Sequence, residues 1–450
     1  MTSGLLLPLL LVLLGTPAPV AADRGLPDIS GAVAAMAAAA GDLPPPALTA
    51  AAARAASLAP PPSVVRAGAN GTAVISVAGS FHTLFLTLQV GTPAVAISAQ
   101  LDTGSPTLWL SSALCKAGSG CRDKSKVSAW DPTKSRSVAD PAAALAKPIQ
   151  RRYGDGSTIE CVVVEDAVRV AGATIERQPV CAATLMDFPS SPGEMGIIGL
   201  GPPQTQDPAS LFDRLRTSFV ESKVSFYFDR SVGTFDSSLG LVPNAGEVTI
   251  GTPNTARYKD DFLWVPILKN SSNWSVKLDS ITIGQTRLTL GVETLLDTGT
   301  SLIFLDSATF DYVNADMGGK VVNGLYQLNC TKLKSLSPIT FVLKGVSFTL
   351  TWDKQFFVLG GKYCVSIFTK QTNGGPTILG ASFLRQFYTS FDYAASLIGL
   401  AQLVDNAPDQ TIPGISKMDR SHAGPRARAH ALPRAASLAL AAAAAVVLLV

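Results

Sequence analysis

The sequence predicts an all-β, or mostly β, protein of two related lobes meeting at a cleft, and three observations carry that expectation. Val, Thr, Ser, Gly and Phe dominate the middle of the chain and charged residues make up only 15%, a balance that favours strands over helices. The phrase Leu-Asp-Thr-Gly stands twice, at Leu101–Gly104 and Leu296–Gly299, followed by Ser105 in one copy and Thr300 in the other. Each copy is followed further on by two aliphatics and a glycine, Ile197-Ile198-Gly199 and Ile378-Leu379-Gly380. Two Asp-Thr-Gly turns alone are ordinary turn chemistry; four segments in matching order are what a duplicated lobe leaves behind.

The 450 residues suffice for about two to three domains, and both ends read as processing signals. Leu5 to Leu14 is an apolar run of signal-peptide length, and Val20-Ala21-Ala22 supplies the small residues of a cleavage site, so 1–22 is expected to be a signal peptide. Residues 23–66 are rich in Ala and Pro with few large apolar side chains, the composition of a pro-segment or linker. The strand-rich body divides into an N-terminal lobe at 73–255 and a C-terminal lobe at 256–405. Beyond it lie a polar tail at 406–434, with small residues around Ser421, and a terminal apolar stretch at 435–450. Small site, polar spacer and greasy end are the order of a GPI signal, which places the anchor near Ser421; a retained membrane helix is the alternative.

Within the body, Phe81 to Val90 and Val95 to Leu101 read as strands leading into the first Asp turn, and Val276 to Ile283 and Leu288 to Leu296 lead into the second. Ser210 to Leu215 and Ala308 to Asn314 look helical. Six cysteines, Cys115, Cys121, Cys161, Cys181, Cys330 and Cys364, imply disulfides in a secreted chain, with the pairing left open by the residues themselves. A metal site is not expected, since no Cys-x-x-Cys occurs and the histidines are His82, His422 and His430. Sequons at Asn70, Asn270, Asn273 and Asn329 fit glycosylation in a secretory pathway. The net charge of +3, with Lys and Arg scattered, offers no basic stripe for nucleic acid.

Serine and cysteine nucleophiles need a base, usually His, and His82 alone lies in the body, which nearly excludes them. Two carboxylates at a lobe interface offer another route. They do not both ionise cheaply, so they share a proton, and one takes a proton from water while the other gives one to a carbonyl oxygen. Asp102 and Asp297 are the candidate acids. Gly104 and Gly299 let backbone amides approach them, Ser105 and Thr300 reach their outer oxygens, and Thr103 and Thr298 are placed to tie the lobes together. A glycosidase also uses paired carboxylates, but does not need them on duplicated turns.

From about Phe81 to Gln402 the chain resembles the pepsin-like aspartic endopeptidases, whose proton-sharing dyad is a well-known case of pKa tuning. The resemblance rests on both Asp-Thr-Gly motifs, Trp109, Tyr153-Gly154-Asp155-Gly156-Ser157, Gly196 to Leu200, Trp264-Val265-Pro266, and Ile378-Leu379-Gly380 through Phe391-Asp392. It implies a bilobal fold of two β-barrel-like lobes around a cleft for an extended peptide, no cofactor, protein or peptide substrates, a monomer, and greatest activity in acid. It implies that Tyr153 is a flap tyrosine hydrogen-bonded to Trp109, that Gly154 and Asp155 bond the peptide backbone, and that Ser157 and Ile197 line the substrate site. It implies the pairs Cys115–Cys121 and Cys330–Cys364, whereas Cys161 and Cys181 do not match the vertebrate members and flank a strand, turn and strand. A further family disulfide near the start of the second lobe is missing.

Two departures bear on mechanism. No Lys precedes Lys116, so either Arg54 or Arg66 takes the place of the pro-segment lysine that many relatives set against the dyad, or zymogen control is weaker or absent. Asp155 resembles the fungal secreted enzymes and is placed to accept a basic side chain next to the scissile bond. A non-catalytic binding or inhibitor protein on the same fold is the rival reading; it arises when an Asp or the flap is lost, and here both Asp motifs and Tyr153 are intact.

Overall fold

A computed structural model describes residues 64–67, 71–79, 82–115, 130–153, 157–187, 196–202, 210–230, 242–269, 271–322, 325–359, 363–371 and 374–404. The expected signal peptide, pro-segment, polar tail and terminal apolar stretch lie outside these residues, as do Asn70, Cys121, Gly154, Asp155, Asn270 and Ser421.

Strands dominate because short β-branched and aromatic runs are cut by Gly, Pro, Asn and Asp at almost every turn. The largest sheet has fourteen strands. From one edge its order is Tyr258–Pro266, Leu397–Leu403, Phe387–Asp392, Lys223–Phe228, Val242–Ile250, Ala73–Gly79, Leu84–Val90, Val95–Asp102, Gly196–Gly199, Leu108–Ser111, Ala173–Asp187, Thr158–Val170 and Ile149–Arg152, with Val64–Ala67 paired to Ala73–Gly79. A seven-stranded sheet runs Val346–Leu350, Ile339–Leu343, Ser275–Ile283, Thr286–Leu296, Thr377–Leu379, Ile303–Leu305 and Phe368–Lys370. A four-stranded sheet, Lys320–Val322, Leu325–Leu328, Tyr363–Ser366 and Phe356–Leu359, completes the second half.

The duplication is visible in strand direction. Val95–Asp102 runs parallel to Gly196–Gly199, which is antiparallel to Leu108–Ser111, which is parallel to Ala173–Asp187. In the second half Thr286–Leu296 runs parallel to Thr377–Leu379, which is antiparallel to Ile303–Leu305, which is parallel to Phe368–Lys370. The aliphatic-aliphatic-Gly segments are thus the short central strand of each lobe. A Cβ on Gly199 would collide with the backbone of Pro106 and Thr107, and one on Gly380 with the carbonyls of Thr300 and Leu302, so both strands must end on glycine where the Asp loop crosses them.

Expected elements shift by a few residues. The strand foreseen from Phe81 begins at Leu84, and those foreseen at Val276 and Leu288 begin at Ser275 and Thr286. The helix Leu211–Leu215 is capped by Ser210, whose hydroxyl accepts from Asp213 N–H. The helix Ser307–Met317 is capped by Asp306, which accepts from Ala308 and Thr309 N–H at 3.0 Å each. The chief departure from two self-contained halves is that Tyr258–Pro266, Phe387–Asp392 and Leu397–Leu403 join the sheet of the first half. Phe226 meets Phe391 edge to face at 5.7 Å, so one apolar core passes beneath both lobes.

Candidate active site

Each half contributes one carboxylate on the loop that leaves a buried strand. Asp102 ends Val95–Asp102 and Asp297 follows Thr286–Leu296, its N–H bonded to Leu379 O at 3.2 Å. Gly104 N–H donates to Asp102 Oδ1 at 2.8 Å and Ser105 Oγ–H donates to Oδ2. Gly299 N–H donates to Asp297 Oδ1 at 2.8 Å and Thr300 Oγ1–H to Oδ2 at 2.6 Å. A Cβ on Gly104 would strike the Asp297 carboxylate and one on Gly299 the Asp102 carboxylate. The bare backbones of these glycines therefore let the two acids close on each other.

Thr103 and Thr298 lock the two loops beneath the acids. Thr103 Oγ1–H donates to Leu296 O at 2.9 Å while accepting from Thr298 N–H at 3.0 Å. Thr298 Oγ1–H donates to Leu101 O at 2.9 Å while accepting from Thr103 N–H at 3.1 Å. Both threonines are 1% exposed, so these reciprocal bonds form without competition from water. Burial first, and then the neighbouring Asp297 charge, hold the Asp102 carboxyl well above the usual carboxylate range, and the two carboxyls share a hydrogen bond. Such a pair is suited to hold one proton between two acids.

The flap expected from the sequence is the hairpin of Ile149–Arg152 and Thr158–Val170, whose neck is closed by Tyr153 N–H donating to Ser157 O at 2.9 Å. Its tip, with Gly154 and Asp155, lies outside the described residues. Tyr153 packs against a small apolar cluster of Trp109, Ile159, Cys161, Cys181, Ala183 and Ile197. Trp109 and Tyr153, the pair expected to act together, thus meet in one cluster. Trp109 is seated by its strand, registered against Ile197 on one side and Cys181 on the other. Ser157 is buried at the hairpin neck and Ile197 in the strand below.

Cys161–Cys181 is a disulfide between the strands Thr158–Val170 and Ala173–Asp187, Cys330–Cys364 lies within the second half, and Cys115 is also disulfide-bonded. Among the sequons within the described residues, Asn329 is exposed and Asn273 half-buried. Asn329 Oδ1 accepts from Thr331 N–H at 3.0 Å and so caps the turn that follows.

Sequence reasoning missed three groups near the centre. Gln100 donates through Nε2 to Gly299 O at 3.0 Å; the available signal was an amide two residues before the acid, where the second copy has Leu295. Trp274 Nε1–H donates to Leu200 O at 2.7 Å, and the Tyr393 hydroxyl donates to the same carbonyl, which joins the halves where no motif marks them.

The comparisons agree with this geometry. The family model for eukaryotic aspartyl protease matches residues 83–403. Syncephapepsin of Syncephalastrum racemosum is 30% identical over 346 residues, covering 75% of this chain and 82% of its own. Cathepsin E of Oryctolagus cuniculus is 28% identical over 338 residues, covering 71% and 80%. The crystal structure of aspartic proteinase from Irpex lacteus superposes with a TM-score of 0.61 at 20% identity, covering 74% of this chain and 98% of that one, a likeness of fold. With two lobes, a duplicated Asp-Thr-Gly and a match over most of its body, the chain belongs to the eukaryotic aspartyl protease family. It is a hydrolase, an aspartic-type endopeptidase, with the bilobal pepsin-like fold.

Proposed function

We propose that Asp102 and Asp297 cleave peptide bonds of protein substrates in acid by activating a water molecule between them. The observation that carries this reading is the facing pair itself, each carboxylate held by its own glycine amide and hydroxyl and the two joined by a hydrogen bond. Asp297 takes a proton from the attacking water as its oxygen bonds to the carbonyl carbon, and Asp102 gives its proton to the carbonyl oxygen. The resulting tetrahedral diol collapses as Asp297 passes its proton to the nitrogen, the C–N bond breaks, and one diol hydroxyl returns its proton to Asp102, so the pair ends as it began with one proton. Tyr153 and its hairpin exclude water, Gly154 and Asp155 bond the peptide backbone, and Ile197 lines the pocket for an apolar side chain. Asp155 adds acceptance of a basic side chain; an unchanged preference in Asp155→Thr would remove that part.

The proposed setting is the secretory pathway, ending outside the cell or on its surface, with a GPI anchor near Ser421 and a monomeric enzyme. Its support is the apolar run at Leu5–Leu14, the order of the C-terminal segments and the disulfides, which need an oxidising compartment. The test of the chemistry is cleavage of a denatured protein at low pH with and without pepstatin. Asp102→Asn and Asp297→Asn are each expected to lower turnover by at least about 10²–10⁴-fold. Full turnover in either variant would refute the assignment.

A further inference from the structure

The glycine, hydroxyl and threonine bonds around the two acids match half for half, and Gln100 breaks the symmetry. It lies two residues before Asp102; the matching position before Asp297 is Leu295. Gln100 is 2% exposed, and a buried amide must spend its N–H groups on a partner. That partner lies across the lobe interface, since Nε2 donates to Gly299 O at 3.0 Å. Gly299 N–H is one of the two donors to the Asp297 carboxylate, and Thr300, on the other side of the gripped carbonyl, is the other. Leu295 has no polar atom with which to treat Gly104 in the same way. Gln100 is itself steadied from the far side, because its strand is registered with Ile197, and Ile197 with Trp109.

We propose that Gln100 is a positioning residue of the dyad. By holding the Gly299–Thr300 peptide from the opposite lobe, it fixes the direction from which Gly299 and Thr300 bond Asp297. It thereby makes two chemically identical carboxylates inequivalent before substrate arrives. The proposal rests on the reading that Asp102 and Asp297 perform the chemistry. The amide touches neither acid, so its effect is on orientation and appears in turnover more than in substrate affinity.

Two variants of the full chain test it, Gln100→Leu, which copies the second half-site, and Gln100→Glu, which keeps the shape. Turnover, KM and melting temperature are followed from about pH 2 to about pH 6. Gln100→Leu is expected to lose about 10- to 100-fold in kcat with KM changed less than about twofold, and to shift the pH profile. Gln100→Glu is expected to retain turnover in strong acid, where its protonated carboxyl donates to Gly299 O. It should lose turnover as pH rises and that carboxyl ionises beside the dyad. Unchanged kcat and pH profile in Gln100→Leu, with only a lower melting temperature, would overturn the proposal. A Gln100→Glu enzyme that matches Gln100→Leu at every pH would overturn it too, and this arm applies even if the leucine variant does not fold. Asp102→Asn and Asp297→Asn separate the two readings. If they are inactive while Gln100→Leu is normal, only the role of Gln100 fails; if they are active, the dyad itself fails.

Discussion

Two buried groups give this molecule opposite responses to acid. Asp102 is pushed up by burial and then by Asp297, so between the ordinary carboxylate range and its raised value the folded state binds more protons than the unfolded one. Stability from this group is complete in acid and is lost as pH rises through the raised value. His82 is held well below the ordinary histidine range by burial and then by the Arg385 charge, and packs edge to face on Phe357 at 5.2 Å. Below about pH 6.5 the unfolded state takes up a proton that folded His82 refuses, so stability from this group falls as pH falls. Unfolding midpoints in urea from pH 3 to pH 7 are expected to lose their downward slope in Asp102→Asn. His82→Phe should be more stable than the parent in acid, with the advantage shrinking as pH approaches neutrality; an advantage independent of pH would contradict this account. Asp102, Asp297, Thr103 and Thr298 were legible because a doubled motif is local. Gln100 was not, since an amide in an apolar run acquires meaning only when the other lobe brings Gly299 to it.

The hairpin that follows Tyr153, whose first strand also pairs with Ile149–Arg152, shows what one element requires of its sequence. Its long strands Thr158–Val170 and Ala173–Asp187 pair with register shifts between Glu160 and Cys161 and between Asp166 and Val168. Such bulges bend and twist a ribbon. Cys161–Cys181 lies just inside the first of them and is packed with Trp109 and Ile197. Replacing both cysteines with alanine is expected to cost about 3 kcal/mol in denaturant unfolding, the scale for a loop of this length. A loss under about 1 kcal/mol would show that strand pairing alone holds the hairpin. Strand, turn and strand were readable between the two cysteines. The meeting of Tyr153 with Trp109 in one cluster was legible too, because the motif names both residues.

At the scale of the molecule the halves share a sheet, and that was the least legible feature. Pairing of Lys223–Phe228 with Phe387–Asp392 joins segments far apart in sequence, and no local pattern announces such a partner. The Leu200 carbonyl, receiving both Trp274 and Tyr393, belongs to the same class of long-range contact. Thr103→Val keeps the shape of the threonine and strands Leu296 O and Thr298 N–H, so a loss of about 1–3 kcal/mol is expected for each unsatisfied group. Combined with Thr298→Val in a double-mutant cycle, the pair should show a coupling energy of about 0.5–3 kcal/mol in unfolding; simple additivity would mean the two loops are held independently.

The four bonds of that threonine pair cross at a single place, directly under the acids. Any rigid movement of the lobes that preserves them is a rotation about this place, never a separation. The acids therefore sit at the fulcrum between the lobes, their spacing set by the bonds that join the two loops and not by where the rest of either lobe lies.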